Sequence, residues 1–338
     1  KEGNLDDAFQ QYVSAGELTR AARLVELYRH QLSDKEQWNI LGKWLRSLPT
    51  ELIQASPELM LQQAWIFLGN FQLELLPPVL DQVEEQIPSH PENDLIKLEL
   101  QFLKGTLHYW MGESSSALEL LEPLGNKIPE DLLHFRSSWA LHLALARHMA
   151  GERELAFRKI DQQVKATNRG QVFFRSYLVG GKMFIHSLSG EIHEASRSSQ
   201  KLFQLTKGTD YQNILAWSAY MPGCRHYQLF ELDKAVHFFD RAIQFQYLLD
   251  HRAVMDAMAG KALVLGWGGK QEDSERVLRA LKQFTEELDE PVETEIFHST
   301  QARLAIFKGD VAVARAWAGT SLPRPIPASF FIWLEVPW

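Results

Sequence analysis

The amino-acid sequence predicts an all-α fold, a right-handed superhelical α-solenoid of tetratricopeptide-like helix pairs. Three observations lead to this prediction. A short helix–turn–helix corner recurs along the chain, apolar residues flank the corners at helical spacing, and the recurrence has an even step of about 40 residues. A single helix pair cannot bury its apolar face, whereas a stack of pairs can, so the repeat itself points to a solenoid.

The clearest corner lies at residues 110–117. An apolar stretch ends at Gly112, the acidic Glu113 follows, and the small Ala117 comes five positions after the glycine. Glycine adopts the left-handed conformation that ends a helix without steric cost. The acidic residue would lie near the positive end of the next helix dipole. The small residue would let the two helices of a pair approach closely.

The corner recurs with nearly constant spacing. Its turn positions are Gly69, Gly112, Gly151, Gly190, Phe230, Gly269 and Gly309, and the successive steps are 43, 39, 39, 40, 39 and 40 residues. Two copies are irregular, because Phe230 replaces the glycine and Glu74 takes the small position after Gly69. The period exceeds the roughly 34 residues of a tetratricopeptide repeat, so we expect longer helices. HEAT-like pairs have a similar length, but the Gly-acidic corner favours the tetratricopeptide type.

The two ends of the chain differ from its middle. We expect residues 1–50 to form a helical linker that caps the solenoid, with Ser33 or Asp34 capping a helix that ends before Pro49. Residues 51–320 form the solenoid itself. Residues 321–338 form a proline-rich turn and the start of a truncated helix. The aromatic residues of this tail would fold back on the last helix pair or meet a second copy; they are Phe330, Phe331, Trp333 and Trp338.

Composition narrows the function classes. A hydrophobic fraction of 45 % excludes disorder, and no apolar run reaches the roughly 18–20 residues of a membrane span. The net charge of −8 argues against nucleic-acid binding through this segment. The single Cys224 rules out an internal disulfide and fits a cytoplasmic location. Because the chain begins with Lys1 and has no signal peptide, we expect a fragment of a longer protein.

Two packing motifs resemble a known family. Residues 44–65 carry Trp-Leu-x-x-Leu-Pro-x-x-Leu, then Ser-Pro-x-Leu and Ala-Trp, and residues 331–337 read Phe-Ile-Trp-Leu-Glu-Val-Pro. Both stretches, and the repeat length of about 40, resemble the sensor region of MalT-type regulators, the large ATP-dependent bacterial transcription activators with a LuxR-type DNA-binding end. The motifs carry no chemistry of their own.

This resemblance implies a full protein with a STAND-class nucleotide switch, a sensor and a helix-turn-helix. Inducer on the sensor and ATP on the switch would promote self-association and transcription. The chain has no Gly-x-x-x-x-Gly-Lys-Ser/Thr loop and no evident DNA-binding end. We therefore expect no cofactor in this fragment, and ATP on a missing N-terminal domain.

In tetratricopeptide proteins the first helix of each pair lines a concave face. Counting back 3, 6, 10 and 13 positions from the corners selects most of the candidate ligand-binding residues, which are Tyr177, Trp217, Tyr220, Tyr227, Arg175 and Asp256. The small Gly180, Gly223 and Cys224 would leave room beside them, and Pro222 would kink its helix. Such a face suits a sugar-like or aromatic effector. Packing between helices is the alternative interpretation of the aromatic residues, and both remain open.

No catalytic residue and no metal ligand is predicted. His142 and His148 are six positions apart, so they do not share a helix face as an i, i+4 pair would. The leading hypothesis is a non-catalytic sensor domain of a bacterial transcriptional regulator, in which a small-molecule effector or a regulatory protein on the concave face controls activation and oligomerisation. The alternative is a tetratricopeptide scaffold that binds a peptide or partner protein.

Overall fold

The computed structural model describes residues 3–87, 94–167, 171–246, 249–288, 291–320, 327, 329–330 and 333–334. Within these ranges all regular structure is helical, which confirms the predicted all-α fold. The chain forms two compact units, Lys1–Leu178 and Val179–Trp338. The division into segments at residues 50 and 320 stays a prediction.

The helices of the first unit are α1 (Gly3–Ser14), α2 (Leu18–Ser33), α3 (Trp38–Arg46), α4 (Thr50–Gln54), α5 (Pro57–Gly69), α6 (Leu76–Gln86), α7 (Asp94–Trp110), α8 (Ser114–Leu121), α9 (Leu133–Met149) and α10 (Arg153–Ala166). Helix α11 (Val172–Leu188) belongs to both units. The second unit continues with α12 (Ile192–Thr206), α13 (Gln212–Gln228), α14 (Leu232–Ile243), α15 (His251–Trp267), α16 (Gln271–Leu288), α17 (Pro291–Phe307) and α18 (Val311–Thr320). Of these helices, none is both long enough and apolar enough to cross a membrane.

Helix contacts follow the order expected of stacked pairs. In the first unit, α7 packs against its partner α8 and also against α5 and α9. In the second, α15 packs against α16 and also against α13 and α17. Contacts between alternate helices place one helix of each pair in a common layer, which is the packing of tetratricopeptide-like solenoids.

The predicted corners are left-handed turns. Gly112 has a φ of 82°, and the N–H of Glu113 donates to the carbonyl of His108 at 2.9 Å, the bond that closes a helix C-terminus. The glycines with the same sign of φ at the other predicted corners are Gly151, Gly190, Gly269 and Gly309. Phe230 has a φ of 60°, so the corner without glycine keeps the same backbone.

The first predicted corner is wrong by two residues. Gly69 ends α5, and Phe71 is the left-handed residue, with a φ of 63°. The aromatic rings explain both corners that lack glycine. Phe71 packs edge-on against Trp110 at 4.8 Å, and Phe230 stacks on Trp267 at 5.3 Å between ring centroids. Each contact is made with a tryptophan two positions before the next glycine corner, and it offsets the roughly 1–2 kcal/mol cost of left-handed backbone.

The acidic residue of the corner contacts a histidine instead of capping its helix. Glu113 starts α8 without a side-chain capping bond, and its carboxylate lies 2.5 Å from Nδ1 of His108. The same pairs form between His186 and Glu191, at 2.7 Å, and between His226 and Glu231. These histidine–glutamate contacts tie the two helices of a pair across the turn.

Asp34 does not cap the helix after it. Helix α2 continues to Ser33, Glu36 turns the chain with a φ of 55°, and α3 begins only at Trp38. The Asp34 carboxylate instead accepts the N–H of His134 at 2.6 Å, so it satisfies a backbone donor in the first turn of α9. By contrast, Ser56 caps α5 as its sequence context indicates, by accepting the N–H of Leu59.

Candidate functional site

Helices α13 and α15 carry four of the six predicted ligand-binding residues. Both are buried over most of their circumference, because each is packed between neighbouring helices of the second unit. Asp250 starts α15 by accepting the N–H of Ala253 at 2.8 Å, which fixes where the helix begins. Trp217, Tyr220 and Tyr227 on α13, and Asp256 on α15, are therefore presented from rigid elements.

A buried carboxylate is the chemical centre of this region. The Tyr220 hydroxyl donates to Oδ2 of Asp256 at 2.5 Å, and both side chains are fully buried. Arg252, one helical turn earlier, has its guanidinium 3.9 Å from Oδ1 of the same carboxylate. Burial raises the pKa of Asp256 to about 6, although the arginine and the tyrosine hydroxyl oppose that shift. We call Trp217, Tyr220, Arg252 and Asp256 the Tyr220–Asp256 site.

The C-terminal segment covers this site. We use that name for residues 329–330 and 333–334, which turn through bonds from the N–H of Phe330 to the carbonyl of Pro327 and from the N–H of Trp333 to the carbonyl of Phe330. The backbone N–H of Leu334 donates to Oδ2 of Asp256 at 2.8 Å. A peptide backbone N–H thus bonds to the same carboxylate oxygen as the Tyr220 hydroxyl.

The indole of Trp333 lies among the aromatic residues that the sequence selects. Its ring centroid is 5.9 Å from that of Trp217 and 6.1 Å from that of Tyr220. The Arg252 guanidinium lies over the Trp333 ring, 5.5 Å from the ring centroid. Aromatic and cation–π contacts of this kind are each worth about 0.5–2 kcal/mol. Trp333 therefore packs against α13 and α15, whereas the sequence predicts contact with the last helix pair or with a second copy, and only 6 % of its surface is exposed.

Tyr227 forms a second polar contact on α13. Arg303 of α17 donates from Nη2 to the Tyr227 hydroxyl at 2.7 Å, and the tyrosine ring tilts against Trp267 at 5.1 Å. Burial raises the pKa of Tyr227, and the nearby arginine opposes the shift. Arg303 thus holds the Tyr227 hydroxyl from the neighbouring helix α17.

Tyr177 and Arg175 lie in the first unit. The Tyr177 hydroxyl is 3.3 Å from Nδ1 of His134, and its ring is 5.0 Å from that of Phe173. Burial raises the pKa of Tyr177 and lowers that of His134, to about 3 for the histidine. The structure thus divides the predicted residues between the two units, and their role in ligand binding stays a prediction.

The space expected beside the aromatic residues is only partly open. A Cβ atom on Gly223 would meet Cδ1 of Phe239 at 2.6 Å, so a buried phenylalanine of α14 fills that room. On Gly180 a Cβ atom would meet nothing within 4 Å. Gly223 is therefore a packing glycine: the missing side chain admits a neighbouring ring and leaves no ligand space.

Pro222 adjoins a cavity on another side of α13. Its missing N–H leaves the Ser218 carbonyl without a helical donor, and the Ser199 hydroxyl donates to that carbonyl at 3.0 Å. Beside this contact α12, α13 and α14 enclose a cavity of about 220 Å³. Its wall includes Ser199, Gln200, Phe203, Pro222, Arg225 and Arg241.

A buried ion pair in the first unit was not anticipated. Arg29 donates through both terminal nitrogens to the Glu99 carboxylate, each at 2.7 Å, and Trp65 Nε1 adds a third bond at 3.2 Å. Burial raises the pKa of Glu99, but Arg29 and His30 outweigh it and hold the value well below the usual range. The two charged residues are 70 positions apart, so sequence spacing gives no sign of their pairing.

The described residues contain no group of His, Cys, Asp and Glu side chains placed to hold a metal ion. Cys224 is buried beside Tyr220, and burial raises the pKa of its thiol, which disfavours the nucleophilic thiolate. The chemistry that this region supports is recognition, through one carboxylate, one guanidinium and aromatic faces.

No protein-family model matches the chain, and no curated protein sequence matches it. Solved structures are nevertheless similar over nearly its whole length. NprR in complex with its cognate peptide NprX has a TM-score of 0.54 and 14 % identity, and the match covers 95 % of this chain and 89 % of NprR. A Rap protein complexed with Competence and Sporulation Factor has a TM-score of 0.55 and 13 % identity, with 94 % and 98 % covered.

The third similar structure is PH0952 from Pyrococcus horikoshii, a signal-transduction ATPase with numerous domains (STAND) and a tetratricopeptide repeat sensor. It has a TM-score of 0.52 and 15 % identity, and the match covers 94 % of this chain but 49 % of PH0952. Identities this low show the fold alone. The fold is thus that of tetratricopeptide-like helical repeats, as predicted.

Proposed function

We propose that this chain is a non-catalytic sensor domain of a regulatory protein, and that its ligand is a peptide or an exposed segment of a partner protein bound at the Tyr220–Asp256 site. One observation carries the proposal: the buried Asp256 carboxylate accepts a peptide N–H at 2.8 Å, from Leu334. Hydrogen bonds to a charged, buried acceptor are among the stronger polar contacts in proteins. A site of this kind recognises backbone as well as side chains.

The cavity beside Pro222 is small for an effector molecule. The cavity beside Pro222 has about 220 Å³, below the roughly 300–1,000 Å³ of sites that enclose a drug-sized ligand. The Tyr220–Asp256 site instead binds through the faces of two helices. A peptide that runs over such faces can bury enough area without a deep pocket.

The similar structures support the same class of ligand. NprR was solved with its cognate peptide, and PH0952 combines a tetratricopeptide repeat sensor with a STAND ATPase. Together with the motifs at residues 44–65 and 331–337, they support a place in a MalT-type regulator, with ATP and DNA handled by other parts of the protein. Ligand binding would then shift the protein between resting and assembly-competent states, and it must favour one of them to do so.

Selection from a displayed library of random 12-residue peptides tests the proposal. The full chain is immobilised, and enriched peptides are titrated against the wild type, Asp256→Asn and Tyr220→Phe by fluorescence anisotropy. Loss of the buried acceptor or donor should weaken binding by about tenfold or more, since one charge-assisted bond is worth about 1.5–3 kcal/mol. Arg315→Ala, on the terminal helix α18, is the matched surface control and should bind like the wild type.

A small anionic effector is the second candidate, because Arg225 and Arg241 both reach the cavity beside Pro222. A thermal-shift screen of sugars, nucleotides and metabolites separates the two ligand classes. A metabolite shift that Arg225→Ala abolishes and Asp256→Asn leaves intact, with no peptide enriched, would contradict the peptide proposal.

A further inference from the structure

We propose that the C-terminal segment is a built-in competitor at the Tyr220–Asp256 site, and that the ligand is a peptide with an indole side chain followed by an aliphatic residue, which displaces it. This inference rests on the proposed function and names the ligand chemistry and the regulation of that site. It follows from the contacts that Trp333 and Leu334 make with the side chains of α13 and α15.

Each group of the site has its partner in the segment. The Leu334 N–H bonds to Asp256, while the Trp333 ring contacts Tyr220, Trp217 and Arg252. The positively charged guanidinium over an indole is the favoured cation–π geometry, and tryptophan is the best partner for it. The aromatic and cationic surface of the site therefore suits an indole ring better than an aliphatic side chain.

The second position of the segment is also shaped by the site. A Cβ atom on Gly260 of α15 would lie 3.0 Å from Cδ1 of Leu334, so the glycine allows the leucine to lie against the helix backbone. Phe239 lies close to the same Cβ position, with Cζ at 2.8 Å. The room for an aliphatic side chain is thus bounded by helix α15 and one buried ring.

The buried charge explains why the site holds an occupant. Asp256 is fully buried, and removal of the Leu334 N–H would take one hydrogen-bond donor away from Oδ2, which also accepts from Tyr220. Loss of a hydrogen-bond partner from a buried group is unfavourable, so the site favours a second peptide donor. The chain's own segment supplies it until an external peptide with the same chemistry replaces it.

Competition from within the chain sets how tightly an external peptide must bind. A tethered segment acts at an effective concentration that reaches the millimolar range for short linkers. The apparent affinity for an external peptide equals the intrinsic affinity multiplied by the fraction of molecules in which the site is open. Weakening the segment should therefore tighten binding of an added peptide without any change in the site itself.

The experiment uses the full chain and a fluorescein-labelled synthetic peptide with the sequence of residues 327–338. Its dissociation constant is measured for the wild type, Trp333→Ala, Leu334→Pro and the double variant Trp333→Ala/Asp256→Asn. Leu334→Pro removes the N–H that bonds to Asp256 and keeps the tryptophan. Phe307→Ala, which changes an aromatic residue with 54 % of its surface exposed on α17, is the control, and circular dichroism monitors folding.

We expect Trp333→Ala and Leu334→Pro to bind the labelled peptide about tenfold or more tightly than the wild type and Phe307→Ala do. The double variant should lose this gain. Equal affinity for the wild type and the three folded single-site variants would overturn the inference. A gain in affinity that persists in the double variant with Asp256→Asn would overturn it as well. If selected library peptides bind through Asp256 but are indifferent to Trp333→Ala, the competitor role falls while the proposed function stands. If only the chain's own peptide binds, the proposed function falls.

Discussion

A single methyl group at Gly223 tests whether this glycine serves packing. Its Cβ atom would lie 2.6 Å from Cδ1 and 2.7 Å from Cε1 of Phe239, about 1 Å inside an ordinary carbon–carbon contact of roughly 3.5–4.0 Å. The far edge of the ring lies close to Gly260, where an added Cβ atom would be 2.8 Å from Cζ, so the ring is packed between two glycines and has little room to move. Overpacking of this degree costs about 1–3 kcal/mol, whereas glycine to alanine in a helix contributes up to about 1 kcal/mol.

Gly180→Ala is the matched control, because it adds the same methyl group to a helix of the same unit where nothing lies within 4 Å. It should gain up to about 1 kcal/mol, so we expect Gly223→Ala to be less stable than Gly180→Ala by roughly 1–3 kcal/mol. Urea unfolding followed by circular dichroism measures both, with the two units allowed separate transitions. Equal stabilisation by the two substitutions would refute the packing role of Gly223. It would instead indicate that the space beside α13 is open.

Three further predictions concern the ion pair, the buried acid and a corner. Arg29→Ala should lose about 3–5 kcal/mol in urea unfolding because it leaves the Glu99 charge buried, and Arg29→Met with Glu99→Leu should recover most of it. Because burial raises the pKa of Asp256 from 3.8 to about 6, the folded form holds this proton more tightly. The stability of the wild type relative to Asp256→Asn should thus rise by roughly 2–3 kcal/mol as pH falls from 7 to 4; a constant difference would contradict the raised pKa. Phe230→Ala should be less stable than Phe230→Gly by about 1 kcal/mol, since alanine keeps the left-handed strain and loses the stacking on Trp267.

The repeat was predictable because its signal is local. A left-handed residue, an acidic residue and a small side chain five positions after the glycine form one short pattern, and Gly112 and Gly151 show it in full. The left-handed turn at Phe71 was missed because the contact that stabilises it is not local. The cost of its φ of 63° is offset by a ring contact with Trp110, one repeat away. The histidine four positions before the corner, as in His108, is a local signal that would also have been found by comparing copies.

The sequence predicted several residues of the candidate site but not the contacts that they make. Tyr220 and Asp256 follow from counting back along helices, and Arg252 could have been added as the residue one turn before Asp256. The contact of Leu334 with Asp256 joins residues 78 positions apart through a backbone N–H, which leaves no trace in residue type. The packing of Phe239 against Gly223 likewise depends on tertiary structure. The glycine indicates that another group approaches the helix closely, but the sequence does not identify that group.

Hydrogen exchange on the full chain, with and without a peptide selected against it, tests the central claim most directly. Binding at the Tyr220–Asp256 site should slow exchange in Gln212–Gln228 and His251–Trp267, and it should speed exchange at residues 329–334 as the Leu334 N–H leaves Asp256. Slowed exchange confined to α7 and α9 of the first unit, with the amide of Leu334 unchanged, would contradict the account.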